Sequence, residues 1–138
     1  MSLIIEKDWI TEAGLRAVVI MCMDDYQGKQ YRRHRCGYVG VGMDTKLYGK
    51  DYHDELLYDT SVHGGLTYAG GNDKYPVDAD LWWLGFDCAH LYDCSPIDPY
   101  PYMTDTYDVG AVIRTLEYCE NECELLARQL KEIIDSEF

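Results

Sequence analysis

The pattern of apolar and polar positions predicts strands over the first two thirds of the chain. Apolar residues are mixed with charged ones in LIIEKDWI, and after EAG they run almost unbroken in LRAVVIMCM. This predicts a β-hairpin that turns near Gly14. The segments RCGYVGVG, LLYDTSVHGGLTY and LWWLGFDCA also have β character, and the polar stretch DDYQGKQYRRH is predicted to be a loop.

The last segment has a helical period instead. Apolar residues recur there at helical spacing, at Val109, Val112, Ile113, Leu116, Cys119, Cys123, Leu126, Leu130, Ile133 and Ile134. They predict one long amphipathic helix from about Tyr107 to Ser136, capped by Asp105 or Thr106. Strands first and one helix last predict an α+β fold, with an antiparallel sheet and the C-terminal helix packed on it, in a single domain over residues 1–138.

Charge adds a constraint on partners. Twelve Lys and Arg against 25 Asp and Glu give a net charge of −13, which disfavours general binding to nucleic acid. Basic residues are concentrated between Gln27 and Lys50, where Arg33 and Arg35 are candidates for binding an anion. The alternative is a solvated basic turn that offsets acidic neighbours.

Two absences in the pattern predict the compartment. No apolar run has the length of a membrane span, and no signal peptide pattern is present. We therefore expect a cytoplasmic protein with no membrane partner, whose six cysteines are reduced and mostly buried.

Alternation along LWWLGFDCA predicts two different faces. The apolar face toward the core carries Trp82, Leu84, Phe86 and Cys88, and the opposite face carries Trp83, Gly85, Asp87 and Ala89. On the preceding predicted strand, the same rule puts His63 and Thr67 together. If the two strands pair, we expect His63 and Asp87 to converge on one concavity, with His90 at the strand end.

Three kinds of chemistry fit this region. A divalent metal ion suits two imidazoles and two carboxylates, from His63, Asp87, His90 and Asp93, although their spacing matches no standard signature. A nucleophilic Cys88 activated by His90 is the second, set against burial of Cys88 in the core. The third is a binding pocket. Its predicted lining is His63, Gly64, Gly65, Thr67, Trp83, Asp87, Arg33 and Arg35. The alternative is that these residues have only a structural role, on a half-exposed sheet with a polar face and one hydrogen-bonded histidine.

Several segments together resemble a known family. They are RCGYVGV, LYGKDY, VHGGLTYAG, WWLGFDCAH and the terminal LEYCENECELLARQL. In these the chain is similar to a family of small uncharacterised proteins found in phage and prophage genomes. The likeness runs from about residue 35 to residue 130 and departs from the family pattern at MDTKLYG and at Leu91 and Tyr92. It implies a phage or bacterial cytoplasm, where sequestering a host defence signal is one use for such a protein.

The sequence thus favours a small-ligand-binding protein, with an anionic, nucleotide-like ligand as the favoured class. Two alternatives stay open. One is a metal-assisted hydrolase in which His63, Asp87 and His90 are catalytic, and the other is an acidic protein that binds a partner or mimics nucleic acid. Whether the site is catalytic, whether it uses a divalent metal and whether the chain forms a homo-oligomer are also open.

Overall fold

Five strands form one antiparallel sheet in the computed structural model, which describes residues 2–90, 93 and 112–137. In chain order the elements are β1 (Ser2–Ile10), β2 (Arg16–Tyr26), β3 (Lys29–Gly42), a 3₁₀ turn (Glu55–Leu57), β4 (Tyr68–Gly71), β5 (Leu81–Asp87) and α1 (Leu116–Asp135). The order across the sheet is β1-β2-β3-β5-β4. The predicted α+β class, an antiparallel sheet with a C-terminal helix, is confirmed.

The two N-terminal hairpins differ in how well the sequence predicts them. The first turns at Gly14, which has a φ of +90°, as predicted. The second replaces the predicted polar loop: β2 continues to Tyr26 and β3 begins at Lys29. Gln27 and Gly28, with φ of +50° and +79°, make the two-residue turn whose twist suits a hairpin. The basic segment therefore lies largely on a strand.

The central strand β2 is buried on both faces of the sheet. Its residues from Ala17 to Met23 are at most 7% exposed. The face toward α1 holds one apolar cluster, which includes Val19, Val39, Leu84, Cys123, Leu126 and Leu130. The opposite face holds a second cluster of Val18, Ile20, Cys22, Cys36, Tyr38 and Trp83, against which Tyr68, Tyr75 and Val77 pack. The sheet is thus a middle layer with a cover on each side.

Strand β5 has the predicted alternation, but its second face is not open. Of the side chains predicted to face the core, Leu84, Phe86 and Cys88 lie in the helix-side cluster, and Trp82 packs against it partly buried. Trp83 points the other way and is only 1% exposed, because the second cluster surrounds it. The structure therefore gives Trp83 a core role and does not support it as the wall of a groove.

The strand predicted around His63 is mostly absent. Leu56 and Leu57 belong to the 3₁₀ turn, and β4 begins only at Tyr68. Gly64 and Gly65 have φ of +66° and +83°, and the Gly65 N–H donates to the carbonyl of Val62 in a turn. Consecutive residues with left-handed backbone interrupt an extended strand, so the glycine pair forms a turn.

Helix α1 is shorter than predicted. Thr115 is its N-cap, with extended backbone and a side-chain oxygen that accepts from the N–H of Tyr118. Val112 and Ile113, expected on the buried stripe, precede the helix and are 46% and 47% exposed. Val112 instead pairs in an isolated bridge with Asp93. The predicted start at Tyr107 and the caps Asp105 and Thr106 lie outside the described residues.

Truncation of the helix core should be costly. Leu126 is fully buried between α1 and the sheet, so we expect Leu126→Ala to lower the free energy of unfolding by about 2–5 kcal/mol. Ile113→Ala is the matched control, because that side chain lies half-exposed before the helix and should cost under about 1 kcal/mol. Chemical denaturation checks both values, and similar costs would contradict this packing.

Candidate functional site

Helix α1 holds the turn that carries His63. Glu122 accepts from the backbone N–H of His63 at 2.7 Å. Gln129 accepts from the N–H of Ser61 at 2.8 Å and donates to its carbonyl at 2.7 Å. These side chains fix the backbone on both sides of Val62. His63 therefore has a defined position although it lies on a turn.

Both ring nitrogens of His63 have partners. Nε2 lies 2.9 Å from Asp93 Oδ2, and Nδ1 lies 2.7 Å from the hydroxyl of Tyr118. An ionised carboxylate only accepts, so Nε2 carries the proton toward Asp93. In the neutral ring Nδ1 then accepts from Tyr118. The result is a hydrogen-bonded chain of carboxylate, imidazole and phenol.

Asp93 is the most connected carboxylate of the site. Its side chain is 1% exposed, and it accepts from His63, from Arg114 Nε at 2.7 Å and from the N–H of His90 at 3.0 Å. Burial alone raises the pKa of Asp93, but these hydrogen bonds outweigh it and hold the pKa below its ordinary value. Arg114 also lies over the Tyr118 ring, 5.0 Å from its centroid.

His90 and Asp87 form a looser pair beside this chain. The rings of His63 and His90 are 5.7 Å apart between centroids. His90 Nε2 lies 3.5 Å from Asp87 Oδ1, is buried, and has no hydrogen-bond partner. Asp87 instead accepts from Thr67 Oγ1 at 2.9 Å and from the N–H of Ala89 at 3.1 Å. The His90 side chain as a whole is 36% exposed.

Glycine at position 64 makes room for this imidazole. A Cβ at Gly64 would collide with the ring of His90, whereas a Cβ at Gly65 would meet nothing within 4 Å. The two positions thus require glycine for different reasons. At position 65 the positive φ of the turn requires it, and at position 64 both the positive φ and the close approach of His90 require it.

The structure brings together part of the residue set that the sequence predicts. His63, Asp87, His90 and Asp93 lie in one cluster, with Gly64 and Thr67 in contact with it. Trp83 is buried in the second core cluster, and the two arginines have carboxylate partners. Arg33 Nε lies 3.0 Å from Asp24, and Arg35 Nε lies 2.6 Å from Glu6. Each guanidinium is thus paired with a carboxylate.

Two of the predicted chemistries gain no support from this geometry. His63 directs both ring nitrogens at Tyr118 and Asp93, and among the described residues the ligand-type group of three lies elsewhere. Cys88 is 3% exposed, with its Sγ 3.6 Å from that of Cys119. The Cys119 contact and burial raise the pKa of Cys88, the opposite of what a nucleophile needs.

Sequence reasoning missed three groups. Tyr118 and Arg114 complete the His63 chain, but no spacing signal in the sequence connects them to His63. The third group is a cluster of Cys22, His34 and Cys36, whose ligand atoms all lie within 4.8 Å of one another. The five described cysteines are free and buried, as predicted, and Cys94 lies outside the described residues.

Comparisons add no relative to this description. Neither the models of protein families, nor the curated proteins, nor the solved structures gave a match to the chain. The likeness to a phage and prophage family therefore stays a prediction. In the part of the chain that the structure describes, no helix is both long and apolar enough to cross a membrane.

Removal of the Asp93 charge should cost stability in a pH-dependent way. The folded pKa is lowered, so the stabilisation is fully present above the unfolded value of about 4 and is lost as the pH falls through the folded pKa. We expect Asp93→Asn to cost about 1–3 kcal/mol at neutral pH and clearly less at about pH 2–3. Urea denaturation at both pH values measures the difference. Asp87→Asn, with a side chain 30% exposed, is the control and should cost under about 1 kcal/mol at neutral pH.

His63→Ala should also lower the free energy of unfolding, because the His63 ring is hydrogen-bonded to Asp93. From sequence alone, an exposed His63 predicts a change within about 1 kcal/mol. The side chain is instead 11% exposed and doubly hydrogen-bonded, so we now expect a loss of about 1–3 kcal/mol. In a double-mutant cycle with Asp93→Asn, the double variant should lose clearly less free energy of unfolding than the sum of the two single losses. Strict additivity would contradict the shared network.

Proposed function

We propose that the chain is a small-ligand-binding protein whose ligand contacts His90 beside the fixed His63–Asp93 pair. The observation that carries this is the buried Nε2 of His90, which has no hydrogen-bond partner. A buried polar atom without a partner costs about 1–3 kcal/mol. A ligand that turns the His90 ring, whose side chain is 36% exposed, and then hydrogen-bonds to Nε2 removes that cost.

The surrounding charges favour one class of ligand. Carboxylates of Asp87, Asp93 and Glu122 lie around the two histidines, and Arg114 is the cation that contacts Asp93. An anionic ligand needs a cation to balance its charge. The cations predicted for this role, Arg33 and Arg35, already pair with Asp24 and Glu6. We therefore favour a polar ligand with hydroxyl or amino donors, such as a nucleoside or a sugar, over a nucleotide phosphate.

The immobile half of the site supports binding over turnover. His63 is held by Asp93 and Tyr118, so its ring serves as a rigid wall rather than as a free base. Thr67 and Asp87 are hydrogen-bonded to each other at 2.9 Å and present a second polar edge. Pre-organised polar groups of this kind orient a ligand at low entropic cost.

A thermal-shift panel with matched variants tests the proposal. The panel contains nucleosides, nucleotides, sugars and amino acids, each added to wild type, His90→Gln and His53→Gln. His53 is exposed and lies outside the cluster, so it controls for loss of an imidazole. We expect at least one uncharged member to raise the Tm of wild type and His53→Gln by a few degrees, as ligand at many times its Kd does, and to leave His90→Gln unmoved.

A second pair of variants tests the same ring without removing it. Gly64→Ala and Gly65→Ala both place alanine at a positive φ, but only the first displaces the imidazole of His90. Gly64→Ala should lose the ligand-induced shift, and Gly65→Ala should keep it. A wild type that no panel member stabilises, or a His90→Gln variant stabilised as much as wild type, would overturn the proposal.

A further inference from the structure

A second cluster of ligand-type side chains lies on the sheet face away from α1. Cys22 on β2 is directly opposite His34 on β3, and Cys36 lies two residues further along β3 on the same face. The cysteines are each 6% exposed, and their Sγ atoms are 3.8 Å apart. Together with the His34 ring, these ligand atoms all lie within 4.8 Å of one another.

A β-bulge creates this juxtaposition. From Tyr26↔Lys29 to Met23↔Arg32 the hairpin has one register, and between Met23 and Cys22 it shifts by one residue, with Arg33 as the extra residue on β3. Without the shift, Cys22 would face Arg33, and His34 and Cys36 would point to the other face of the sheet. Bulges that re-aim side chains in this way are common beside functional sites.

We propose that Cys22, His34 and Cys36 bind a zinc ion. Two thiolates at about 2.3 Å from a tetrahedral zinc ion are about 3.8 Å apart, and a nitrogen ligand fits at a similar spacing. The observed Sγ–Sγ distance of 3.8 Å matches that edge. Two thiolates and one imidazole are the soft and borderline donors that zinc selects, and two thiolates balance its charge in a buried place.

The fourth position of the ion has a candidate neighbour. Asp87 on β5 is directly opposite Cys36 and interacts electrostatically with both Cys36 and His34. Its carboxylate is held by Thr67 and Ala89, so the fourth donor is a water molecule or a carboxylate that gives up these bonds. Three protein ligands and one exchangeable position are typical of an open zinc site.

The other thiol pair is a natural comparison. The Sγ atoms of Cys88 and Cys119 are 3.6 Å apart and as deeply buried. Among the residues that the structure describes, however, no third ligand atom joins them, since the group of three forms at Cys22, His34 and Cys36. The Cys88–Cys119 pair is therefore a packing contact, and it supplies a control with the same chemistry.

Cobalt and zinc titrations of the reduced protein test the site. Co²⁺ is added to protein kept reduced with a phosphine, and Zn²⁺ is then added to displace it. We expect thiolate-to-cobalt charge transfer and visible bands of a tetrahedral ion that saturate at one equivalent and disappear with Zn²⁺. Cys22→Ser and Cys36→Ser should lose the charge-transfer band, and Cys88→Ser should bind as wild type does.

His34→Gln keeps the test decisive if a buried cysteine variant fails to fold. The His34 side chain is only partly buried, and we expect this variant to bind Zn²⁺ at least about tenfold more weakly than His53→Gln does. A wild type without a one-equivalent cobalt signal would overturn the proposal, as would equal binding by His34→Gln and His53→Gln. A Cys22–Cys36 disulfide that forms in air, with no cobalt signal after reduction, would overturn it in favour of a redox pair.

Discussion

Burial of the central strands on both faces of the sheet is the constraint on which the rest of the structure depends. An antiparallel sheet with one apolar face needs one cover, but β2 and the middle of β3 are apolar on both faces. Helix α1 covers one face, and the segment around Tyr75 and Val77 covers the other. The cluster of His63, Asp87, His90 and Asp93 lies at the end of β5, where Tyr118 in the first turn of α1 hydrogen-bonds to His63.

At that edge a single carboxylate connects segments that are distant in sequence. Asp93 accepts from His63 in the glycine turn, from Arg114 just before α1 and from the backbone of His90 after β5. Arg35 extends the connection by donating to the carbonyl of Arg114 and by pairing with Glu6 of β1. The same hydrogen bonds that stabilise the fold hold His63 rigid, so stability and site geometry have one cause in this region.

The sequence predicts those features that depend on local periodicity. The first hairpin, the alternation along β5 and the buried stripe of the terminal helix all follow from it. It fails where tertiary contacts decide. The segment with Tyr75 and Val77 lies only a few residues before Trp83, but no periodicity shows that it folds back over that face. The Gly64–Gly65 pair fits a bulged strand as well as a turn until the contact with His90 is known. The clustering of His63, Asp87 and His90 follows from chemistry concentrated near one strand end, but their partners Arg114 and Tyr118 come from another element.

The Cys22, His34 and Cys36 cluster marks the limit of reasoning from spacing. Cys22 and His34 are twelve residues apart, which matches no metal-binding motif, and the polar stretch between them favours a loop over a hairpin. Their contact requires both a two-residue turn at Gln27 and Gly28 and a one-residue bulge at Arg33. The turn alone would bring Cys22 opposite an arginine. Only the turn and the bulge together put two thiols and an imidazole on one face, and the spacing of the residues in sequence predicts neither of them.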